Sequence, residues 1–222
     1  MNFNKPTLVT ITAPTCSGKN FLRDVLEQDL DFARIVGTTT RAPRAGEING
    51  QDYHFLDKET SQRFEDSGLF AELIEFRGVK YGVTKGEMKA KMAGPKTPVI
   101  ILEPNGVQIY RGICKDLGFD IFTIYVHAVE TLRLERLLRR TLIDYSRCAL
   151  AVDGENVIKT HLSREQSIIG EERAWSNTCI WDAIVPGDNI LEAVQMVQQG
   201  IKYRNSRNEV PTPYVDVNLE AA

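Results

Sequence analysis

The sequence predicts an α/β protein in which helices cover both faces of a parallel sheet. Apolar, β-branched runs alternate along the chain with amphipathic helical patterns, as is typical of parallel sheets. A glycine-containing loop joins the first run to the first helical pattern. Short alternating segments broken by turn residues fill residues 35–84 and predict a small β-rich insertion. We expect a ligand at the carboxyl ends of the parallel strands.

The first part of the chain predicts one strand and one helix of the sheet, followed by the insertion. Within the insertion, Asp57 is suited to cap a short helix because its side chain can accept a backbone hydrogen bond. The predicted elements are a strand over Leu8–Thr12, a helix over Asn20–Gln28, a strand over Asp52–Leu56, a helix over Lys58–Ser67 and a strand over Phe70–Phe76.

The second part of the chain predicts further alternating helices and strands. The predicted helices cover residues 85–92, 107–117, 131–140, 157–176 and 190–203, and the predicted strands cover residues 98–102, 119–126 and 183–185. Residues 141–156 show no clean period. The segment from Asn205 to Ala222, which contains Pro211 and Pro213, is expected to be loosely ordered.

The loop after the first strand has the composition of a phosphate-binding loop. Its residues are Ala13, Pro14, Thr15, Cys16, Ser17, Gly18, Lys19 and Asn20. Backbone N–H groups and a helix N-terminus would bind phosphates, and Lys19 would add a positive charge. Asn20 stands where a Mg²⁺-binding hydroxyl is usual, but its amide oxygen can also bind Mg²⁺. The alternative is a strand-to-helix turn with a surface lysine.

Two arginines and two tyrosines predict a seat for a single phosphate. Arg41 and Arg44 lie three residues apart around Pro43, so two guanidinium groups can bind one phosphate dianion. Tyr53 and Tyr81 can add phenolic hydrogen bonds. Taken without the phosphate loop, the arginines would be read as solvated surface charges.

The overall charge argues against some classes of partner. The chain has 27 Lys and Arg against 30 Asp and Glu, a net charge of -3, so duplex nucleic acid is not expected as a partner. No run is long enough to predict a membrane span. The four cysteines lack metal-ligand spacing and predict reduced thiols in a cytoplasmic protein. His54 and His127 are interpreted as structural. Composition does not predict an oligomeric state.

The motifs together resemble the guanylate kinase family, from about Leu8 to about Tyr203. The resemblance depends on Thr39–Phe55, Phe70-Ala71-Glu72 and Lys80-Tyr81-Gly82. It implies a P-loop NTPase-type parallel sheet flanked by helices, with a β-rich insertion for the nucleoside monophosphate (NMP) and a helical lid. The implied divisions are a core of residues 1–34, 85–135 and 166–204, an NMP-binding part of residues 35–84, a lid of residues 136–165 and a tail of residues 205–222.

The resemblance also implies how a base is bound. Glu72 would accept hydrogen bonds from guanine N1–H and the 2-amino group, an edge that adenine lacks. Glu103 aligns with a family Asp that faces the base or helps to organise the metal.

Two positions of the base pocket depart from the family pattern. Gly37 stands where the family usually has Ser, and Val83 stands where it has Ser or Thr. Their neighbours Thr38 and Thr84 are the candidates to replace the missing hydroxyl groups. Guanine is the expected base, with an altered base choice left open.

The implied lid is a basic helix. Arg136, Arg139 and Arg140 match its first half, whereas His161 stands where the family has a further arginine, for which Arg147 or Arg164 would compensate. The same helix can alternatively be a solvated face that pairs with Glu130 and Glu135.

The implied activity is transfer of the γ-phosphoryl group of ATP to GMP or dGMP, with ATP and Mg²⁺ as cofactors. Asn20, His161 and the altered base pocket leave two alternatives, a catalytically silent module that binds nucleotide or protein, and a kinase for another monophosphate, including one with a modified base. The retained Gly18 and Lys19 favour an enzyme.

Overall fold

The computed structural model describes residues 5–43, 46–76, 78–148 and 174–206, together with residues 158, 159, 162 and 170. The elements are β1 (Thr7–Thr12), α1 (Lys19–Asp29), β2 (Phe32–Arg34), β3 (Thr38–Thr39), β4 (His54–Phe55), α2 (Lys58–Asp66), β5 (Phe70–Phe76), β6 (Val79–Thr84), α3 (Lys85–Met92), β7 (Thr97–Ile101), α4 (Pro104–Leu117), β8 (Asp120–His127), α5 (Glu130–Cys148), β9 (Ala183–Pro186) and α6 (Ile190–Ser206).

The main sheet has five parallel strands in the order β2-β7-β1-β8-β9. Its central strand β1 is buried along its whole length, as expected for a parallel sheet covered on both faces. The register pairs Val9 with Val99 on one side and with Phe122 on the other. This arrangement confirms the predicted fold class.

Apolar side chains of β1 alternate between two cores. Val9 and Ile11 pack into a core that includes Leu22 of α1 and Val197 of α6. Leu8 faces a second core with residues of α3 and α4, among them Tyr110. Because successive side chains of a strand point to opposite faces, the helices cover both sides of the sheet.

The predicted β-rich insertion forms a second, four-stranded sheet with the order β4-β3-β6-β5. Its strands β5 and β6 are antiparallel, with an irregularity between Phe70 and Glu72. Gly82 allows the close approach of these strands, since a Cβ there would lie 2.5 Å from the carbonyl oxygen of Glu72. The Asp57 side chain accepts the Thr60 N–H at the start of α2, at 2.6 Å, as predicted.

Several elements differ from the prediction; helix α4, for example, begins at Pro104 rather than at residue 107. Strand β2 was not predicted, because its three residues are too few to show a period, and it is stabilised by pairing with β7. The prediction that helix α5 ends at Arg140 was wrong, since it runs on to Cys148. Leu142 and Ile143 in this extension are exposed, which removes the buried stripe that would have indicated a helix. Strand β4 is shorter than predicted.

Several predictions fall outside the described residues. Most of the helix predicted for residues 157–176 lies there, although Trp175–Asn177 form a short 3₁₀ turn. His161, Arg164 and residues 207–222 also lie there, and of Arg147 only the backbone is described. None of the helices in the described ranges combines the length and the apolar character needed to cross a membrane.

Candidate active site

A cavity of about 830 Å³ lies where the carboxyl ends of β1 and β7 meet the second sheet. Its position is the one expected for a ligand of a parallel sheet. The predicted site residues that line it are Ala13, Thr15, Cys16, Gly18, Lys19, Asn20, Thr38, Arg41, Tyr53, Glu72, Tyr81, Glu103, Arg136 and Arg140. Pro14, Ser17, Thr84 and Arg139 are not part of the lining, and Arg44 lies outside the described residues.

The loop between β1 and α1 has the backbone conformation of an anion-binding loop. Cys16 has φ 64° and Gly18 has φ 101°, so two nearby residues are left-handed. The Ser17 N–H closes a turn onto the Pro14 carbonyl oxygen at 3.3 Å. Lys19 Nζ lies 3.3 Å from the carbonyl oxygens of both Ala13 and Pro14. Loops of this kind direct backbone N–H groups to an anion at a helix N-terminus.

The loop after β9 packs directly on the phosphate loop. A Cβ at Gly187 would lie 2.0 Å from the Ser17 carbonyl oxygen, and a Cβ at Gly18 would lie 3.1 Å from the Gly187 carbonyl oxygen. The Gly187 N–H also donates to the His127 carbonyl oxygen at 2.6 Å. A smaller cavity of about 90 Å³ adjoins Gly187 and Phe21.

Two arginines of α5 contact backbone carbonyl groups of the same loop. Arg133 Nε donates to the Thr15 carbonyl oxygen at 3.0 Å, and the Arg133 residue is only 5% exposed. Arg136 Nη1 donates to the Cys16 carbonyl oxygen at 3.1 Å, and its Nη2 donates to that of Gly187 at 3.0 Å. The first half of the basic helix is therefore attached to the phosphate loop.

Arg41 lies in an aromatic and acidic environment. Its guanidinium binds both carboxylate oxygens of Glu47, at 2.6 and 2.7 Å. The Cζ atom lies 5.1 Å from the ring centre of Tyr53 and 5.4 Å from that of Phe55, within range of a cation–π contact. The hydrogen bond to Glu47 raises the pKa of Arg41, so this group remains charged.

Two half-buried carboxylates, Glu72 and Glu103, also line the cavity. Burial raises the pKa of Glu72 to about 7, and the nearby charge of Glu103 adds to the increase. Burial also raises the pKa of Glu103. The apolar side chains of the cavity lining include Ile35, Ile74, Val83, Ile100, Ile101 and Leu102. A buried ionisable group in a cavity is a common feature of functional sites.

The threonines expected to replace the missing hydroxyl groups are engaged elsewhere. Thr38 Oγ1 donates to the Gly82 carbonyl oxygen at 3.1 Å. Thr84 Oγ1 accepts the Glu87 N–H at 3.2 Å and caps α3. Thr38 still lines the cavity, whereas Thr84 does not.

Arg139 and Arg140 lie in different surroundings on α5. Arg139 forms an ion pair of 2.8 Å with Glu135, and its side chain is 75% exposed. Arg140 lines the cavity. Of these two arginines, only Arg140 borders the site in this arrangement.

Among the residues absent from the sequence-based site, three hold other site residues in place. Glu47 binds Arg41, Arg133 binds the loop carbonyl of Thr15, and Gly187 packs on Ser17. The spacing of Arg133 and Arg136, three residues apart on one helix face, was the available signal for Arg133. No local pattern relates Gly187 to Ser17.

The whole described site lies within a region that matches a known family. Residues 5–203 match the sequence model of guanylate kinase. The chain belongs to the guanylate kinase family. This match covers most of the chain and confirms the predicted family and enzyme class, a phosphotransferase of the nucleoside monophosphate kinase type.

The chain is also similar in sequence and in structure to individual members of the guanylate kinase family. The chain is 32% identical to a guanylate kinase of Oleidesulfovibrio alaskensis over 84% of this chain and 82% of the relative. It is 31% identical to a guanylate kinase of Prochlorococcus marinus over 88% of this chain and 96% of the relative. A crystal structure of guanylate kinase from Anaplasma phagocytophilum superposes with a TM-score of 0.60 at 18% identity, covering 94% of this chain and 90% of that one, which supports the fold.

Proposed function

We propose that this member of the guanylate kinase family transfers the γ-phosphoryl group of ATP to GMP or dGMP, giving ADP and GDP or dGDP. The observation that carries the proposal is that one cavity joins a phosphate loop, an arginine held beside tyrosines, and two half-buried carboxylates. These groups match the donor phosphates, the acceptor phosphate and the guanine edge, respectively.

The donor end of the cavity suits ATP phosphates. Loop N–H groups and the α1 N-terminus favour negative charge. Lys19 lies beside the loop, with its ammonium group near two carbonyl oxygens, from which it can turn to the β- and γ-phosphates. In the reaction an oxygen of the acceptor phosphate bonds to the γ-phosphorus as the bond to the β–γ bridging oxygen breaks. Positive charges stabilise the transferring group.

The acceptor end suits a nucleoside monophosphate. Arg41 offers a planar set of donors that fits a phosphate dianion. Tyr53 and Tyr81 lie with ring centres 6.2 Å apart, and both line the cavity. We include Arg44 in this set on the basis of its sequence position. Arg136 and Arg140 border the cavity and are assigned, together with Arg139, to the transferring phosphoryl group.

The chemistry of the loop fits a Mg²⁺ ion. In nucleotide sites Mg²⁺ binds few protein oxygens and takes phosphate oxygens and water as its other ligands. Asn20 lines the cavity beside Lys19, and its amide oxygen would hold the ion. Glu103, another oxygen donor of the lining, is the second candidate. When bound, Mg²⁺ supplies charge neutralisation at the phosphates.

Glu72 gives the base end its preference for guanine. An ionised carboxylate accepts two hydrogen bonds and donates none, so it matches the N1–H and 2-amino donors. Adenine presents an acceptor at N1 and would leave the buried carboxylate without that partner, which is costly. Because Gly37 and Val83 supply no hydroxyl group at this end, we retain a kinase for another monophosphate as the second candidate.

The test is a coupled assay with ATP, Mg²⁺ and a panel of GMP, dGMP, AMP, dTMP and modified monophosphates. Transfer to GMP or dGMP supports the proposal, and transfer only to another acceptor favours the second candidate. No transfer to any acceptor, with GMP still bound in calorimetry, would contradict both and favour a silent binding module.

The proposal extends to the cellular location and the binding partners of the protein. Cys16, Cys114 and Cys179 are free thiols, in keeping with a cytoplasmic location. The expected partners are nucleotides, without nucleic acid or membrane.

A further inference from the structure

The phosphate loop is contacted by a buried arginine that does not line the cavity. Arg133 is buried, and its Nε donates to the Thr15 carbonyl oxygen at 3.0 Å. Thr15 and Cys16 both line the cavity, but Arg133 is not part of the lining. Arg133 therefore contacts the loop without being part of the cavity lining.

This contact determines the orientation of one peptide group. The C=O and N–H of a trans peptide point in opposite directions. Because Arg133 holds the Thr15 carbonyl oxygen, the N–H of Cys16 in the same peptide points away from the guanidinium. Cys16 has φ 64°, a left-handed conformation that is uncommon outside glycine. A non-glycine residue keeps such a conformation only when its surroundings hold it there.

We propose that Arg133 is a positioning residue for the donor phosphates, which keeps the Cys16 N–H directed at them without touching the nucleotide. Arg136 supports the next carbonyl group along the loop, that of Cys16, and links it to Gly187. Left-handed loop residues with neighbouring N–H groups form anion-binding concavities. The inference rests on the proposed donor site and adds a residue to it.

The alternative role for Arg133 is purely structural, since a buried arginine also contributes to packing. Arg204 offers a matched control because it is an arginine with a 15% exposed side chain, paired with Asp182 at 3.4 Å and lying over the Phe122 ring. It has no part in the proposed site. A structural role for both residues would lower stability in both variants and leave the two substrates equally affected.

The experiment compares Arg133→Met with Arg204→Met by steady-state kinetics and thermal unfolding. We expect Arg133→Met to raise the KM for ATP about tenfold or more, as loss of a hydrogen bond from a charged group predicts. The KM for GMP should stay within about twofold, since no GMP contact is removed. Arg204→Met should lower Tm and leave both KM values near wild type. Arg133→Lys retains a donor on a similar stem and should recover part of the loss.

An unchanged KM for ATP in Arg133→Met, or equal increases for ATP and GMP, would overturn the inference. If Arg133→Met does not fold, Arg133→Lys is compared with Arg204→Lys, and equal KM values for ATP in the two variants would also overturn it. The Lys19→Met variant shows whether a negative result rejects the positioning role of Arg133 or the proposed ATP-binding site itself. Activity retained in Lys19→Met would reject the donor site itself, whereas an inactive Lys19→Met beside a wild-type Arg133→Met would reject only the positioning role.

Discussion

Arg41 and Glu47 form a two-point ion pair, with Nη1 2.6 Å from Oε2 and Nη2 2.7 Å from Oε1. A phosphate dianion prefers the same planar donors, so acceptor binding must share or replace this pair. Nη1 also donates to the Ala42 carbonyl oxygen at 3.0 Å. The guanidinium is thus held in place before an acceptor binds, which lowers the entropic cost of binding.

Replacement of Arg41 should affect the acceptor more than the fold. Arg41→Met removes a charged, bidentate donor, and we expect kcat/KM for GMP to fall about a hundredfold. Arg63→Met is the control, since Arg63 belongs to the exposed surface of α2 and donates to Thr60. Steady-state kinetics with GMP varied at saturating ATP measure the effect. Wild-type kcat/KM in Arg41→Met would reject its assignment to the acceptor phosphate.

The pH dependence of GMP binding should report the ionisation of Glu72. The pKa of Glu72 is raised to about 7, mainly by burial and further by Glu103. Below this pH the carboxyl group is protonated and places an O–H donor opposite the N–H donors of guanine. The KM for GMP at pH 6 should therefore be about tenfold higher than at a pH well above 7. The phosphate of GMP titrates in the same pH range. In the Glu72→Gln variant only this phosphate titrates, so the pH profile of its KM for GMP is the reference for the wild-type profile.

Glu103→Gln should move this profile. Because it removes the charge that helps to raise the pKa of Glu72, the rise in KM for GMP should begin at a lower pH than in wild type. An identical profile in Glu72→Gln and wild type would show that Glu72 is not the titrating group.

Glu72 should also make stability depend on pH. Its pKa in the folded protein is about 7, above the ordinary value of 4.5, so the folded state binds more protons between these values. Stability therefore falls as pH rises through this window. The Glu72→Gln variant does not lose stability in this way. The Tm of the variant minus the Tm of wild type should therefore be larger at pH 8 than at pH 5. A Tm difference that does not vary with pH would contradict the argument.

Restoration of a hydroxyl group at Val83 should strengthen GMP binding. Val83 is 3% exposed and borders the cavity, and Thr has nearly its shape. We expect Val83→Thr to lower the KM for GMP about two- to tenfold, the value of one hydrogen bond, with a small loss of Tm. Val79→Thr, on the same strand but outside the cavity lining, is the control. An equal KM for GMP in both variants would exclude a base contact at this position.

A methyl group at Gly187 should displace the phosphate loop. Its Cβ would lie 2.0 Å from the Ser17 carbonyl oxygen and 3.0 Å from that of His127, and neither backbone atom can rotate away. We expect Gly187→Ala to lower Tm and to raise the KM for ATP about tenfold or more. Kinetics below the unfolding temperature separate the two effects.

Gly112→Ala is the control for that variant. Nothing lies within 4 Å of a Cβ at Gly112, inside α4, so the change should add about 0.5–1 kcal/mol of stability without affecting KM. If Gly187→Ala matched Gly112→Ala in both Tm and KM, the close packing of Gly187 on the loop would be refuted.

Local patterns were enough to predict much of the fold. The bounds of α3, Lys85–Met92, were predicted to the residue, and the loop between β1 and α1 was placed correctly. Each of these features is encoded within a short stretch, in the spacing of apolar residues, in capping side chains and in glycine positions. The family motifs also contained Arg41, Tyr53 and Tyr81, which line the cavity.

Contacts between distant parts of the chain were decided only by the tertiary structure. Pairing with β7 gives three-residue β2 its strand conformation, burial beside Glu103 raises the pKa of Glu72, and α5 carries Arg133 to the Thr15 carbonyl oxygen. Backbone periodicity depends on neighbours in sequence, whereas burial, charge proximity and close approach depend on how complete elements pack. The sequence alone therefore determined the family, the strand–loop–helix unit and many of the residues that line the cavity, and packing determined how those residues are held and charged.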